Sequence, residues 1–270
     1  MPSNSLPSNP FTLAALTVEG RDARSFLQAQ LTADLAAVDA ASWHPSGWCD
    51  PKGRVLAVML VSPGADAIRL VLPAPLIDTV EARMNMFRIG RDVTISVGPD
   101  IVPATDGTPL AWDATRRLSV ATSNRTVAWN DWLVRDIMTG LPWILPETAG
   151  RFLPQMIGLE RLGGLSYRKG CYPGQEVVAR VHYRGRVTQR LARFDIEGEP
   201  PAPGEALDLA TATGVVLYAT FSGSDADGSV GLMIVPADAR PTDDELPERG
   251  ARATRWTMVD ANHAVLPSGA

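Results

Sequence analysis

The chain has 270 residues, 45% hydrophobic and 20% charged, with a net charge of −5. That balance fits a globular protein with a sizeable core and excludes collagen-like, coiled-coil and disordered classes. Two cysteines are too few for a disulfide framework or a CxxC zinc site, and His44, His182 and His263 lack metal-ligand spacing, so no permanently bound metal is expected.

Residues 1–10 are rich in Ser, Pro and Asn and are expected to be disordered. They lack the basic and apolar regions of a signal peptide. No apolar run approaches the ~20 residues of a spanning helix, so the expectation is a cytoplasmic chain with no membrane contact. From Gly20, apolar residues at Ala23, Phe26, Leu27, Leu31, Leu35 and Val38 recur at three- and four-residue steps and predict a helix. Val55–Val61 and Ile68–Leu72 read as strands, Leu76–Phe87 as a helix and Val93–Val97 as a third strand. Together they suggest a compact α+β unit at about 54–98. Pro103–Arg117 is turn-rich, with a hairpin signal at Asp106-Gly107. Trp129–Met138 predicts a helix ended by Gly140 and Pro142. Beyond Arg180, strands at Gln189–Ile196, Gly214–Phe221, Ser229–Val235 and Ala251–Val259 alternate with Gly, Pro and Asp turns, as in a small barrel or sandwich.

Charge is unevenly spread. Arg151–Phe194 holds nine Lys/Arg against two acids, whereas Asp195–Gly250 holds twelve acids and two bases. A local basic stretch admits phosphate, polycarboxylate or nucleic acid, and equally a solvated face balanced by its acidic neighbour.

The densest segment runs from Gly163 to Glu176 and packs four glycines and a proline around Cys171. Such a backbone turns tightly and approaches something closely. Arg168 and Lys169 favour the thiolate of Cys171, making it a nucleophile, a redox thiol or a soft ligand. Three chemistries stay open. They are a Cys–His pair with His182, one ligand of a shared iron–sulfur cluster, and a small packed residue. Cys49 reads as structural. Glu176 and Arg180 stand at i, i+4, the spacing of a helical pair.

Lys169-Gly170-Cys171-Tyr172-Pro173-Gly174-Gln175-Glu176, followed by Val178-Ala179-Arg180 and Arg184-Gly185, resembles the signature of the YgfZ family. These are folate-binding proteins related to the T-protein, the aminomethyltransferase of the glycine cleavage system. The similarity extends over most of the chain. Gly20–Asp34 is similar to the family's opening helix, Cys49–Arg54 to its CDxKG(K/R) turn, and Trp132–Pro142 to a W-x₄-I-x₂-G-x-P segment. Phe152–Gln155 and Leu162–Gly164 lead into the signature.

The resemblance implies an α+β fold like that of the T-protein, a ring of folate-binding α+β domains with a C-terminal antiparallel β-barrel. It places the folate-binding region at 11–184, the barrel at 185–262 and a tail at 263–270. It also implies a tetrahydrofolate (or derivative) pocket near the centre and a role in assembling or repairing iron–sulfur clusters in client enzymes, with tRNA modification affected through them. Cys171 matches the family's functional residue, and Trp132 a tryptophan implicated in folate contact. A pterin needs a flat wall and a few directed polar groups, which Gln155, Glu160 and Gln175 can supply.

Some positions depart from the family. Pro173 stands where Thr is usual, Gly158 where Asn is, and Leu13 near an aromatic. The T-protein's catalytic Asp pair falls on the Gly53–Val58 stretch, where both acids are missing. Aminomethyl transfer is therefore not expected, and the chain is not read as a conventional enzyme. Beside the accessory-protein reading stand a tRNA-binding or protein-interaction scaffold and a folate-dependent one-carbon transferase.

Overall fold

The computed structural model describes residues 11–64, 67–121, 125–209, 212–222, 228–241 and 254–259. The disordered start and the tail expected from the sequence lie outside the described residues. The first sheet is built from β1 (Leu13–Glu19), β2 (His44–Cys49), β3 (Val55–Pro63), β4 (Ile68–Pro73) and β5 (Thr94–Val97), in the order β2-β3-β4-β1-β5. Two helices, α1 (Ala23–Gln28) and α2 (Ile77–Phe87), connect these strands.

Alternation explains the apolar run of β3. Val58 and Leu60 join the large central core, while Ala57, Met59 and Val61 join a second core with Phe26, Leu27, Val80 and Met84 from the helices. A strand covered on both faces needs no polar side. The unit expected at 54–98 is incomplete as drawn from the sequence. β5 pairs with β1, Leu16 opposite Val97, so the sheet cannot form without residues 13–19.

The helix expected from Gly20 to Val38 is six residues long. Leu31 and Leu35 are buried as expected, but on irregular backbone. The Gln28 side chain accepts from the Leu35 amide at 2.8 Å and donates to Asp34 at 2.9 Å, while Thr32 is drawn into contacts with distant segments. Partners far along the chain outweigh helical periodicity here.

A small second sheet has β6 (Ile101–Ala104) and β7 (Thr108–Leu110) on either side of β8 (Asp113–Val120). Asp106-Gly107 therefore turns the chain across the end of β8, since β6 and β7 do not pair with each other as a hairpin would. The helix α3 (Trp129–Thr139) ends at Gly140, whose φ of 70° is the left-handed cap that glycine tolerates best. The last helix is α4 (Gln175–Arg184).

The C-terminal strands are β9 (Gln189–Glu197), β10 (Ala206–Asp208), β11 (Thr213–Phe221), β12 (Gly228–Pro236) and β13 (Thr254–Met258). They form one antiparallel sheet in the order β10-β11-β12-β9-β13. Among the described residues no ladder joins its edge strands β10 and β13. Leu191, Leu217 and Leu232 face the central core with α3, while Ala192, Phe194, Met233 and Trp256 pack in a third core. No helix among the described residues is long and apolar enough to cross a membrane.

Candidate functional site

The segment from Gly163 to Gly174 is largely irregular backbone, so its shape depends on what anchors it. The Leu31–Ala33 turn does most of this. The Thr32 hydroxyl donates to the Gly164 carbonyl at 2.6 Å and accepts from the Gly47 amide at 2.7 Å, and the Ser166 amide donates to the Thr32 carbonyl at 2.9 Å. Lys169 Nζ donates to the carbonyls of Leu31 at 2.5 Å and Ala33 at 2.8 Å. That lysine is 7% exposed. Burial pulls its ammonium down to about 8, against the charge of Asp34, which pulls it up. Gln175 Nε2 then donates to the Lys169 carbonyl at 3.3 Å, tying the start of α4 to the same loop.

The other side of the loop rests on the turn after β2. Asp50 shapes that turn by accepting from the amides of Lys52 at 2.9 Å and Arg54 at 2.8 Å. Gly174 has a φ of 77°, and a Cβ there would stand 2.3 Å from the backbone of Gly53. The two segments that carry the resemblance, more than a hundred residues apart, thus meet backbone to backbone at a pair of glycines. The amide of Val55 donates to the Phe152 carbonyl at 2.8 Å and brings the 152–155 segment to the same place.

This frame leaves Cys171 exposed and Cys49 buried, both as free thiols. Burial pushes the Cys49 thiol well up, with Asp50 adding to it, so Cys49 is the inert member. Gly170 also faces open space, with nothing near where a side chain would stand. No hydrogen bond among the described residues joins Cys171 to His182, whose ring instead stacks on Tyr167 with centroids 3.7 Å apart. The Cys–His pair is not assembled in this arrangement. Glu176 and Arg180 do share α4, one turn apart, but form no ion pair.

Several polar groups gather beside the loop. Gln155 Nε2 donates to the Val178 carbonyl at 2.7 Å, while its Oε1 is buried without a partner. Glu160 is exposed and accepts from the Tyr167 hydroxyl at 3.0 Å. Tyr172 packs with Leu165 and Val178, its hydroxyl buried and unpartnered. Burial raises the Tyr167 phenol, with Glu160 adding to it, and burial raises that of Tyr172 beside Cys49. Two orphaned polar atoms next to stacked rings are what a ligand with a flat face and directed hydrogen bonds would satisfy. Sequence reasoning overlooked Tyr167 and Thr32. A tyrosine four residues before the cysteine was available as a signal, but a lone buried threonine was not.

Trp132 occupies a different environment. It is 2% exposed, and the Arg116 guanidinium lies over its ring at 3.9 Å. Arg116 pairs with Asp136, which also accepts from the Trp143 indole at 2.8 Å. Burial pushes the Asp136 carboxyl up while Arg116 opposes it. Trp132, Asp136 and Ile137 are thus core residues of α3, and one face of the indole is covered. Trp132 belongs to the central core, whereas Tyr172 of the Cys171 loop packs in a separate cluster with Leu165 and Val178. Both border the central core, where Val177 and Val181 of α4 also pack. Among the described residues no group of three or more His, Cys, Asp or Glu could hold a metal ion.

The fold is that of the glycine cleavage system aminomethyltransferase T. The structure of glycine cleavage system aminomethyltransferase T from Bartonella henselae superposes with a TM-score of 0.60 over 83% of this chain and 76% of that one, at 14% identity. Within that fold the chain resembles the YgfZ proteins. It is 29% identical to the tRNA-modifying protein YgfZ of Klebsiella pneumoniae (strain 342), over 77% of this chain and 79% of that protein. It is also 29% identical to the protein of the same name from Sodalis glossinidius, over 87% of each. No protein-family model matches the chain.

Proposed function

We propose that this chain binds tetrahydrofolate or a derivative and acts as an accessory protein for assembling or repairing iron–sulfur clusters in client enzymes, affecting tRNA modification through them. The observation that carries this reading is the presentation of Cys171. It is the exposed thiol of a loop anchored by Lys169 and Thr32 on one side and wedged against Gly53 on the other. Ordering a loop this firmly around an exposed thiol is costly unless the position of that thiol matters. The names of the YgfZ relatives and the aminomethyltransferase fold support the link to tRNA modification and to folate.

A bound reduced folate supplies a carrier of one-carbon units. The residues offered to hold it are Gln155, Tyr172 and Gln175, with Glu160 and Tyr167 at the rim. The resemblance also offers Trp132, which here is a core residue beneath Arg116. Cys171 provides one thiol, so contact with a cluster would be shared with the client. Aminomethyl transfer is not proposed. Val55, Ala57 and Val58, on the stretch that carries the T-protein's acids, are fully buried apolar residues of β3.

Calorimetric titration with tetrahydrofolate tests the first half. Saturable heat should be weakened by Gln155→Ala and unchanged by Cys171→Ser. The Cys171→Ser protein should then fail to restore cluster-enzyme activity in cells lacking this protein. Absence of binding overturns the folate reading, and full restoration overturns the thiol role.

A further inference from the structure

β5 closes one edge of the first sheet, and among the described residues no strand pairs with its outer side. Natural edge strands are usually blunted by Lys, Pro or a bulge. β5 reads Thr-Ile-Ser-Val and has none of these. Exposed apolar side chains are concentrated around it. Of the six large ones that stand exposed among the described residues, Met86, Phe87, Ile89 and Val97 fall within a single stretch of twelve positions. Such a concentration marks a surface that meets another one.

The ladder fixes which backbone groups are free. The Gly98 amide donates to the Ala15 carbonyl at 2.8 Å, and Val97 stands opposite Leu16. Alternation therefore turns the amides and carbonyls of Thr94 and Ser96 toward β1, and those of Ile95 and Val97 outward. The side chains of these two outward-bonding residues share one face. Ile95 is buried in the second core, while Val97, two residues on, is 57% exposed.

A second copy of this chain satisfies both features at once. Turned about a two-fold axis at Ser96, its β5 runs antiparallel to the first, with Ile95 of each strand opposite Val97 of the other. Each of these two pairs exchanges two hydrogen bonds, and each exposed valine gains a cross-strand isoleucine on its own face. The helices agree. α2 packs over β5 and β1, so the axis brings the second α2 to the same face, antiparallel and two strand spacings away. That is about 9.6 Å, within the range at which helices pack. The row of α2 on the β5 side is marked by Arg88, which caps the helix and whose Nη1 donates to the Val93 carbonyl at 3.1 Å. Glu81 stands two turns earlier in the same row. Antiparallel packing sets the Glu81 end of one row against the Arg88 end of the other, so opposite charges meet. This self-complementarity favours a second copy over an unrelated strand.

We propose that the chain forms a symmetric dimer through β5, joining the two first sheets into one continuous sheet with the α2 helices side by side. This goes beyond the folate reading and does not depend on it. β2, whose end supports the Cys171 loop, is the opposite edge of the sheet. The dimer therefore holds its two β2 edges about 40 Å apart, which leaves both thiols open to clients.

Sedimentation velocity of the full chain between about 1 and 200 μM tests the association. A monomer–dimer equilibrium is expected. Val97→Pro removes one outward amide and no bond to β1, and should weaken the dimer at least about tenfold. The register is read separately by cross-linking in the Cys171→Ser background, where the remaining native thiol, Cys49, is buried. Ser96 faces its own copy as a non-hydrogen-bonded pair with Cα atoms about 4.5 Å apart, so Ser96→Cys should form an interchain disulfide under oxidised glutathione. Thr94→Cys should not, because the two copies of that residue stand about 13 Å apart. Ser96→Cys needs no new backbone conformation, so it decides the matter even where Val97→Pro unfolds the chain. A monomer at every concentration overturns the proposal, as would a dimer indifferent to Val97→Pro in a folded protein, or equal cross-linking at 94 and 96. Tetrahydrofolate titration reads none of these quantities, so either proposal can fail while the other stands.

Discussion

The turn after β2 and the loop before α4 each carry a cysteine in a glycine-bearing motif, and they touch, yet they differ in almost every physical respect. Cys49 ends a strand, is 3% exposed and has its thiol raised by burial. Cys171 stands exposed on irregular backbone held by the loop's own Lys169 on the Leu31 and Ala33 carbonyls and by the Thr32 hydroxyl on Gly164. The end of β2 and Gly53, both buried, are the platform and the exposed loop is what they present. The comparison teaches that a motif's cysteine gains its role from the backbone packed beneath it, and that the platform is as necessary as the thiol.

The sharpest way to break the pair is at the glycine contact. Gly174→Ala places a methyl 2.3 Å from the Gly53 backbone at a φ of 77°. It should destabilise the protein by at least about 3 kcal/mol in urea unfolding, with loss of folate binding. Next is the anchor. Lys169→Met leaves the carbonyls of Leu31 and Ala33 without the ammonium and should cost about 2 to 3 kcal/mol.

The same variant isolates a pH effect. The folded-state pKa of Lys169 is lowered from 10.5 to about 8, so between those values the unfolded chain holds the extra proton. This group's contribution to stability therefore rises with pH through that window and is least favourable below pH 8. Unfolding titrations across the window should show wild-type stability gaining on Lys169→Met as pH increases. A constant difference would refute the shift.

Smaller effects sharpen the contrast between the thiols. Cys49→Ala should cost about 1 kcal/mol by removing a packed sulfur, while Cys171→Ser should stay within about 0.5 kcal/mol. In alkylation followed by mass spectrometry, Cys171 should be modified in the native protein and Cys49 only after unfolding. Native modification of Cys49 would break the distinction.

Much of this was legible in the sequence. Trp129–Met138 became α3 with its Gly140 cap, and the C-terminal runs became β9, β11, β12 and β13, because their periodicity and turn residues agree with their packing. Leu13–Glu19 and His44–Cys49 were not read as strands. Pro45 and Gly47 obscure the second, and both strands are specified by neighbours far along the chain. The helix drawn through Thr32 failed for the same reason, because a threonine that bonds Gly47 and Gly164 cannot also continue a helix.

At the site, local spelling determined the tight Gly–Cys–Gly loop, the helix that follows it and the uneven charge along the chain. Only the tertiary structure decided that Lys169 is a buried anchor, that Trp132 lies under Arg116, and that one thiol is exposed while the other is sealed. It alone gathered Arg186, Arg190, Arg193 and Arg240 into one cleft. Backbone turns and helices follow from steric limits within a few residues, which any window of sequence contains. Burial, pairing and shared charge depend on segments that meet only when the whole chain is packed.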